Sequence, residues 1–283
     1  MNAIQHSVRM GVRRGFLESR QTLTDREDLF NYFVFPVIFV VVMFFMRDSK
    51  LPGVEFSLGA ATVPSVLGAS IVFSGMLGMA GVLAVEREDG TLLRAKATPN
   101  GMMGYLVGKV VTISISTVIG ILLVLIPGLF LFDGIAPGGW TSWLGLLWVL
   151  ALGLLATMPI GAIFGSLTTN ARSIGLIMLP TLGIGAISGI FYPITSLPEW
   201  LQGIGQVFPM YWLGLGMRSA LLPDSTVMIE IGQSWRPWET LGVLAVWAVI
   251  GLTLAPVVLR RMARRESGSS VAARREKAMQ RIG

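Results

Sequence analysis

Cysteine is missing from the 283-residue chain, and histidine occurs once, as His6. Disulfides, thiolate chemistry and cysteine-ligated zinc are therefore excluded, and one imidazole without a partner motif makes a poor metal site. Charge is scarce as well. Lys, Arg, Asp and Glu make up 13% of the residues, against about 25% in a typical soluble domain. A soluble chain of this length needs a polar surface to face water, and the material for one is not there. No GxxxxGK[ST] run offers a phosphate-cradling loop, no HExxH pairs two histidines, and no GxSxG elbow presents a nucleophile. Away from their ends, the long apolar runs carry no carboxylate. The ionisable relay that ion-coupled transport needs within hydrocarbon is thus missing, and any work done by the protein must draw its energy from elsewhere.

What is abundant is apolar sequence, at 53% of the chain. A helix needs about 20 apolar residues to cross the hydrocarbon core. Six segments approach or exceed this: 29–46, 58–85, 106–132, 143–167, 174–192 and 241–259. None alternates as a barrel strand would, and backbone in lipid must satisfy its own hydrogen bonds, so these read as helices. The expectation is an all-α integral membrane protein with six transmembrane helices. Lys109, near the start of the third segment, is expected to snorkel to the interface.

Orientation follows from the basic residues. With both termini on the cytoplasmic side, the inner segments 1–28, 86–109, 168–173 and 260–283 hold 18 of the 22 Lys and Arg residues. The strongest anchor is Arg260, Arg261, Arg264 and Arg265, directly after the sixth segment. Residues 1–28 place Ile4, Val8, Val12 and Phe16 among Arg9, Arg13, Arg14 and Arg20, which predicts an amphipathic interfacial helix. That lead-in has no signal-peptide cleavage site, so the helix after it is expected to stay in the mature protein. Residues 260–283 read as a basic cytoplasmic tail. Such basic flanks beside apolar runs suit a membrane surface better than nucleic acid.

Two segments between the helices stand out. The first is charged on both signs: Glu86, Arg87, Glu88, Asp89, Gly90, Thr91, Leu92 and Leu93, followed by Thr98 and Pro99. A short helix over 91–98 would protrude from the membrane where a soluble partner can grip it, although a solvated linker would look similar. The second is 193–239, with Pro193, Pro198, Glu199, Trp200, Pro209 and Arg218. Two short helices over 197–222 are each too short to cross, so re-entrant half-helices fit better. Its tryptophans also match an aromatic belt at the interface. Gly68, Gly75, Gly78 and Gly81, with Gly153, Gly161 and Gly165, allow close helix packing.

In order and spacing these pieces resemble the ABC-2 type transporter permeases, the family that includes daunorubicin-resistance-type drug exporters. The resemblance rests on Gly189-Ile190-Phe191-Tyr192-Pro193, Leu197-Pro198-Glu199-Trp200-Leu201, Phe208-Pro209-Met210 and Arg218. It rests also on the Glu86–Leu93 run with Thr98-Pro99 and Gly108-Lys109. Many members carry Asn where Phe208 stands, and Arg or Lys where Asp89 stands. The resemblance implies a type V exporter-like fold, with a coupling helix at 88–100 and re-entrant helices at 197–222. It implies two separately encoded ABC ATPase subunits, which would hold the ATP and Mg, and a second permease copy or a homologous permease. The permease itself would be no enzyme and bind no cofactor.

Implied further is a multi-pass protein of a prokaryotic cell membrane, working with membrane lipids and a hydrophobic small molecule or lipid. Segments 58–85 and 174–192 would supply much of the substrate path. Ser70, Ser74, Thr181 and Ser188 are its candidate hydrogen-bonding residues, unless they bond back within their own helices. Export of drugs or natural products is the leading reading. Export of a lipid or lipid-linked glycan stands beside it. A non-transporting scaffold or immunity protein is the alternative of another class, and a membrane-embedded enzyme built on Glu199 and Arg218 a distant one.

Overall fold

The computed structural model describes residues 3–265, apart from 52, 54, 99, 136, 137 and 169–173. Among the described residues the regular structure is helical, apart from a single bridge between Lys50 and Ser57. The helices are α1 (Ala3–Thr22), α2 (Arg26–Phe45), α3 (Leu58–Val72), α4 (Met79–Glu88), α5 (Thr91–Lys96), α6 (Gly101–Leu131), α7 (Trp140–Leu167), α8 (Ile174–Ile187), α9 (Glu199–Val207), α10 (Pro209–Leu221) and α11 (Pro237–Arg265). A π-helical turn, Phe73–Gly78, joins α3 to α4 without a break.

Four helices are long and apolar enough to cross a membrane: Leu58–Glu88, Gly101–Leu131, Trp140–Leu167 and Pro237–Arg264. Two shorter apolar helices, Phe33–Phe45 and Ile174–Ile187, accompany them. The protein is an all-α membrane protein. At 1.5 Å per residue the 14 residues of α8 reach about 21 Å, short of the ~30 Å hydrocarbon core. The apolar run expected over 174–192 stops being helical at Ile187. Two residues on, Gly189 turns the chain at φ 64°, a conformation that suits glycine.

The bundle is organised around α3, which is buried along nearly its whole length. It packs against α10, α6 and α7. Gly68 makes this possible, because a Cβ there would lie 2.5 Å from the Gly214 backbone nitrogen on α10. Beyond the π turn, Gly165 of α7 sits equally close to Ala80. Small residues thus set the spacing of the central helices, as packing in lipid requires.

Within the predicted 1–28 a helix forms over Ala3–Thr22, but it packs on a different face from the one its apolar spacing suggests. Gly11, Gly15 and Ser19 are buried, while Val8 and Phe16 are exposed. The glycine face lies on the start of α6, and a Cβ on Gly15 would come within 2.6 Å of the Gly108 carbonyl oxygen. Close backbone approach holds α1 to the bundle and leaves its apolar side chains facing outward. The tail from 266 onward lies outside the described residues.

Candidate functional site

The charged segment after α4 folds into a tight hairpin. Gly90 takes φ 81° and turns the chain, and the Asp89 carboxylate accepts the Thr91 amide hydrogen at 2.7 Å. Helix α5 is then one and a half turns long, shorter than the expected 91–98. Leu92 is 2% exposed and seats α5 against the bundle, with Leu93 half-buried beside it. Arg94 faces outward and donates to the Thr91 hydroxyl at 2.8 Å. The Thr98 hydroxyl donates to the Ala95 carbonyl, and Asn100, at φ 54°, restarts the chain into α6. Pro99 lies outside the described residues.

Arg87 has a different task from the one its place in this segment suggests. Its guanidinium donates to the Ser166 and Thr168 carbonyls at 2.8 and 2.6 Å. Those carbonyls belong to the last turn of α7, where oxygens have no partner within the helix. Arg87 therefore fastens the end of α4, just before the turn into α5, to the end of α7. Glu86, one residue earlier, points elsewhere.

Glu86 meets Lys109 at 2.6 Å, and the same ammonium meets Glu18 of α1 at 2.7 Å. Arg14 grips the other oxygen of Glu18 at 2.7 Å, and the Tyr105 ring lies within 6 Å of both cations. Lys109 is 5% exposed. It does not snorkel outward as expected, since two carboxylates hold it inside. Burial alone would push the Glu18 carboxyl up, but hydrogen bonds and charge from Lys109 and Arg14 outweigh it and hold the group below its ordinary value. The node ties α1, α4 and α6 together, and α4 and α6 are the two arms that carry α5.

At the opposite end of the bundle, Arg218 of α10 forms a two-point pair with Glu230, with bonds of 2.7 and 3.3 Å. It also donates to Ser65 of α3 at 2.8 Å and to the Gly189 carbonyl at 3.3 Å. Both charges are almost fully buried. Glu199, the partner suggested by sequence, is exposed at the start of α9 and takes no part. Pro198 caps α9, and Pro209 opens α10 as its first residue and does not merely close α9. Pro193 lies in the turn before α9, and Trp200 is exposed. Arg236 donates to Gln206 at 2.9 Å and to the Tyr211 hydroxyl, and it stacks on Trp212.

The four candidate path hydroxyls are less available than their sequence suggests. Ser70, Thr181 and Ser188 donate to the carbonyls of Val66, Ile177 and Ile184, each one turn back in its own helix. Ser74 sits half-buried on the π turn. Of the four, Thr181 faces a slot of about 210 Å³ bounded by Val72, Met76, Ala156, Thr157, Pro180 and Met210, among others. Among the described residues, no group of three His, Asp or Glu side chains gathers to hold a metal.

A family model described as "ABC-2 family transporter protein" matches residues 18–256. The chain belongs to the ABC-2 family of transporters. It is also 24% identical, over 207 residues, to a protein of Bacillus subtilis (strain 168) named "Putative transport permease YvfS". That match covers 72% of this chain and 76% of the relative. As an ABC-2 permease, the chain implies a separate ABC ATPase subunit as its partner. Within this permease the sequence located the α4–α6 hairpin and α9–α10. It missed Glu18, whose only signal was a lone acid one turn after Arg14, and Glu230, which carried none.

Proposed function

We propose that this ABC-2 permease is the membrane subunit of an ATP-driven exporter, with α5 as the element that receives motion from the ATPase. The observation that carries this reading is how α5 is mounted. It is too short to be stable alone, yet it is fixed through buried Leu92, through Arg87 on α7 and through the Lys109 node on α1. Its Arg94 side faces away from the bundle. A helix built this way transmits a push and cannot absorb it by bending.

Six crossings, both termini in the cytoplasm of a prokaryotic cell and a re-entrant α9–α10 pair complete the proposal. The 21 Å reach of α8 is extended by the turn at Gly189, which brings the chain to α9 without a second crossing. Two permease copies with two ATPase subunits form the working unit. The cargo is a hydrophobic or amphipathic small molecule, favoured by the apolar slot. A lipid cargo would use the same lining. The test is Arg94→Glu in the reconstituted permease–ATPase complex. The substitution changes a surface charge and leaves Leu92 in place, so the fold persists. Cargo-stimulated ATP hydrolysis should fall several-fold while basal hydrolysis by the isolated ATPase is unchanged. Full stimulation in the variant would remove α5 from the role.

A further inference from the structure

The slot behind α8 has a direction. Its lining residues at the end nearest α5 are Phe164 and Leu176, and Leu176 is 74% exposed. At the other end Phe208 stacks on Trp247, with ring centroids 6.2 Å apart, and Met210 beside them is buried. The slot therefore ends on an exposed side chain where α7 and α8 approach α5, and on buried Met210 beside an aromatic stack near α9 and α10.

Its chemistry is equally one-sided. No lining residue carries a charge. The Thr157 hydroxyl donates to the Gly153 carbonyl at 2.8 Å, Thr181 to Ile177 at 2.7 Å, and the Trp247 indole to Val207 at 2.9 Å. Every side-chain donor on the wall is already used, so a polar occupant would lose its hydrogen bonds to water and gain none. Apolar cavities of this class stay dry and accept small hydrocarbons, as one of ~150 Å³ accepts benzene. One wall is the π turn, where a side chain at Gly75 would run into Thr157. Turns of this kind inside α-helices are often functional.

We infer that this slot, lying within one subunit, binds the uncharged ring or hydrocarbon chain of the exported molecule, loaded sideways from the bilayer with its polar end left at the mouth. The inference rests on the exporter reading and names the part of the cargo that enters first. The Phe208–Trp247 stack is the barrier the cargo meets.

The experiment uses the permease–ATPase complex in phospholipid nanodiscs. One arm adds free trifluoromethyl-phenyl diazirine, and the other a phospholipid with a diazirine on its acyl chain. After illumination, labelled residues are read by peptide mass spectrometry. The free probe should label Met76 and Met210 in the wild type. Thr181→Val, which exchanges the hydroxyl for a methyl of similar size, should keep that label. Thr181→Phe and Ala156→Met, which fill the slot from opposite walls, should lose it, while label on exposed Phe130, outside the slot, stays constant. Absence of label at Met76 and Met210, or its persistence in both filled variants, would overturn the inference. So would labelling by the tethered phospholipid alone, which would make the slot a lipid site. ATP-dependent dye transport, measured on the same purified wild-type complex reconstituted into sealed liposomes, separates the two readings. Intact labelling without ATP-dependent efflux sinks the exporter and leaves a hydrocarbon site.

Discussion

Replacing Lys109 with methionine tests the ionic node most directly. The substitution keeps the length and most of the volume of the side chain and deletes its charge. Glu18 and Glu86 then face each other across a buried gap with only Arg14 to neutralise one of them. Removing one partner from a buried pair costs about 3–5 kcal/mol, because a charge is left uncompensated. Both carboxylates are partly exposed, on an open cleft of about 910 Å³, so the lower figure, about 3 kcal/mol, applies. At roughly 2–4 °C per kcal/mol for a chain of this size, the thermal midpoint of the purified permease should drop by about 6–12 °C. Lys109→Arg should lose much less. Lys109→Met combined with Glu86→Gln should recover part of the loss, since one of the two stranded charges has gone. Lys50 pairs with Glu55 on the surface, and Lys50→Met should cost at most about 1 kcal/mol. If Lys109→Met melts within the range of Lys50→Met, the node carries no stability and the argument for a rigid α5 mount fails.

The same node sets a pH dependence. The folded Glu18 carboxyl lies below its unfolded value, so its contribution is complete above the ordinary glutamate range near 4.3 and is lost as pH falls through the folded value. The melting difference between wild type and Glu18→Gln should therefore be widest near neutral pH and close on acidification; a gap that widens in acid would contradict it. Glu230→Gln should destabilise by about 3 kcal/mol or more, because it strands Arg218 in the interior, and the double change Arg218→Met with Glu230→Leu should be milder. Equal loss in the two, measured as recoverable folded protein, would count against a buried pair. Gly15→Leu should displace α1 from α6, and protease cleavage within residues 5–20 should then rise sharply. Unchanged protection would show that the close backbone approach is dispensable.

Much of this was legible in the residues themselves, and the rest was not, for one reason. Long uncharged stretches such as 58–85 can only be stable out of water, and hydrocarbon permits only self-satisfied helices, so the membrane class and the helix positions follow from composition along the chain. Local rules also placed a short helix beginning at Thr91 and the short helices after Pro198 and Pro209, while the turn at Gly90 came only with the structure. Partner choice is different, because it depends on which distant residues the fold brings within 3 Å. Lys109 looked like a snorkelling lysine until Glu18, 91 residues away, met it. Arg218 was read beside Glu199 as the charged pair of the outer helices, and in space it pairs with Glu230. The α1 face was misjudged because its apolar spacing is visible in a linear string, whereas a fit between Gly15 and Gly108 exists only once two backbones touch. Periodicity is a property of one segment; charge pairing, close packing and cavities belong to several segments at once, and only the tertiary structure decides them.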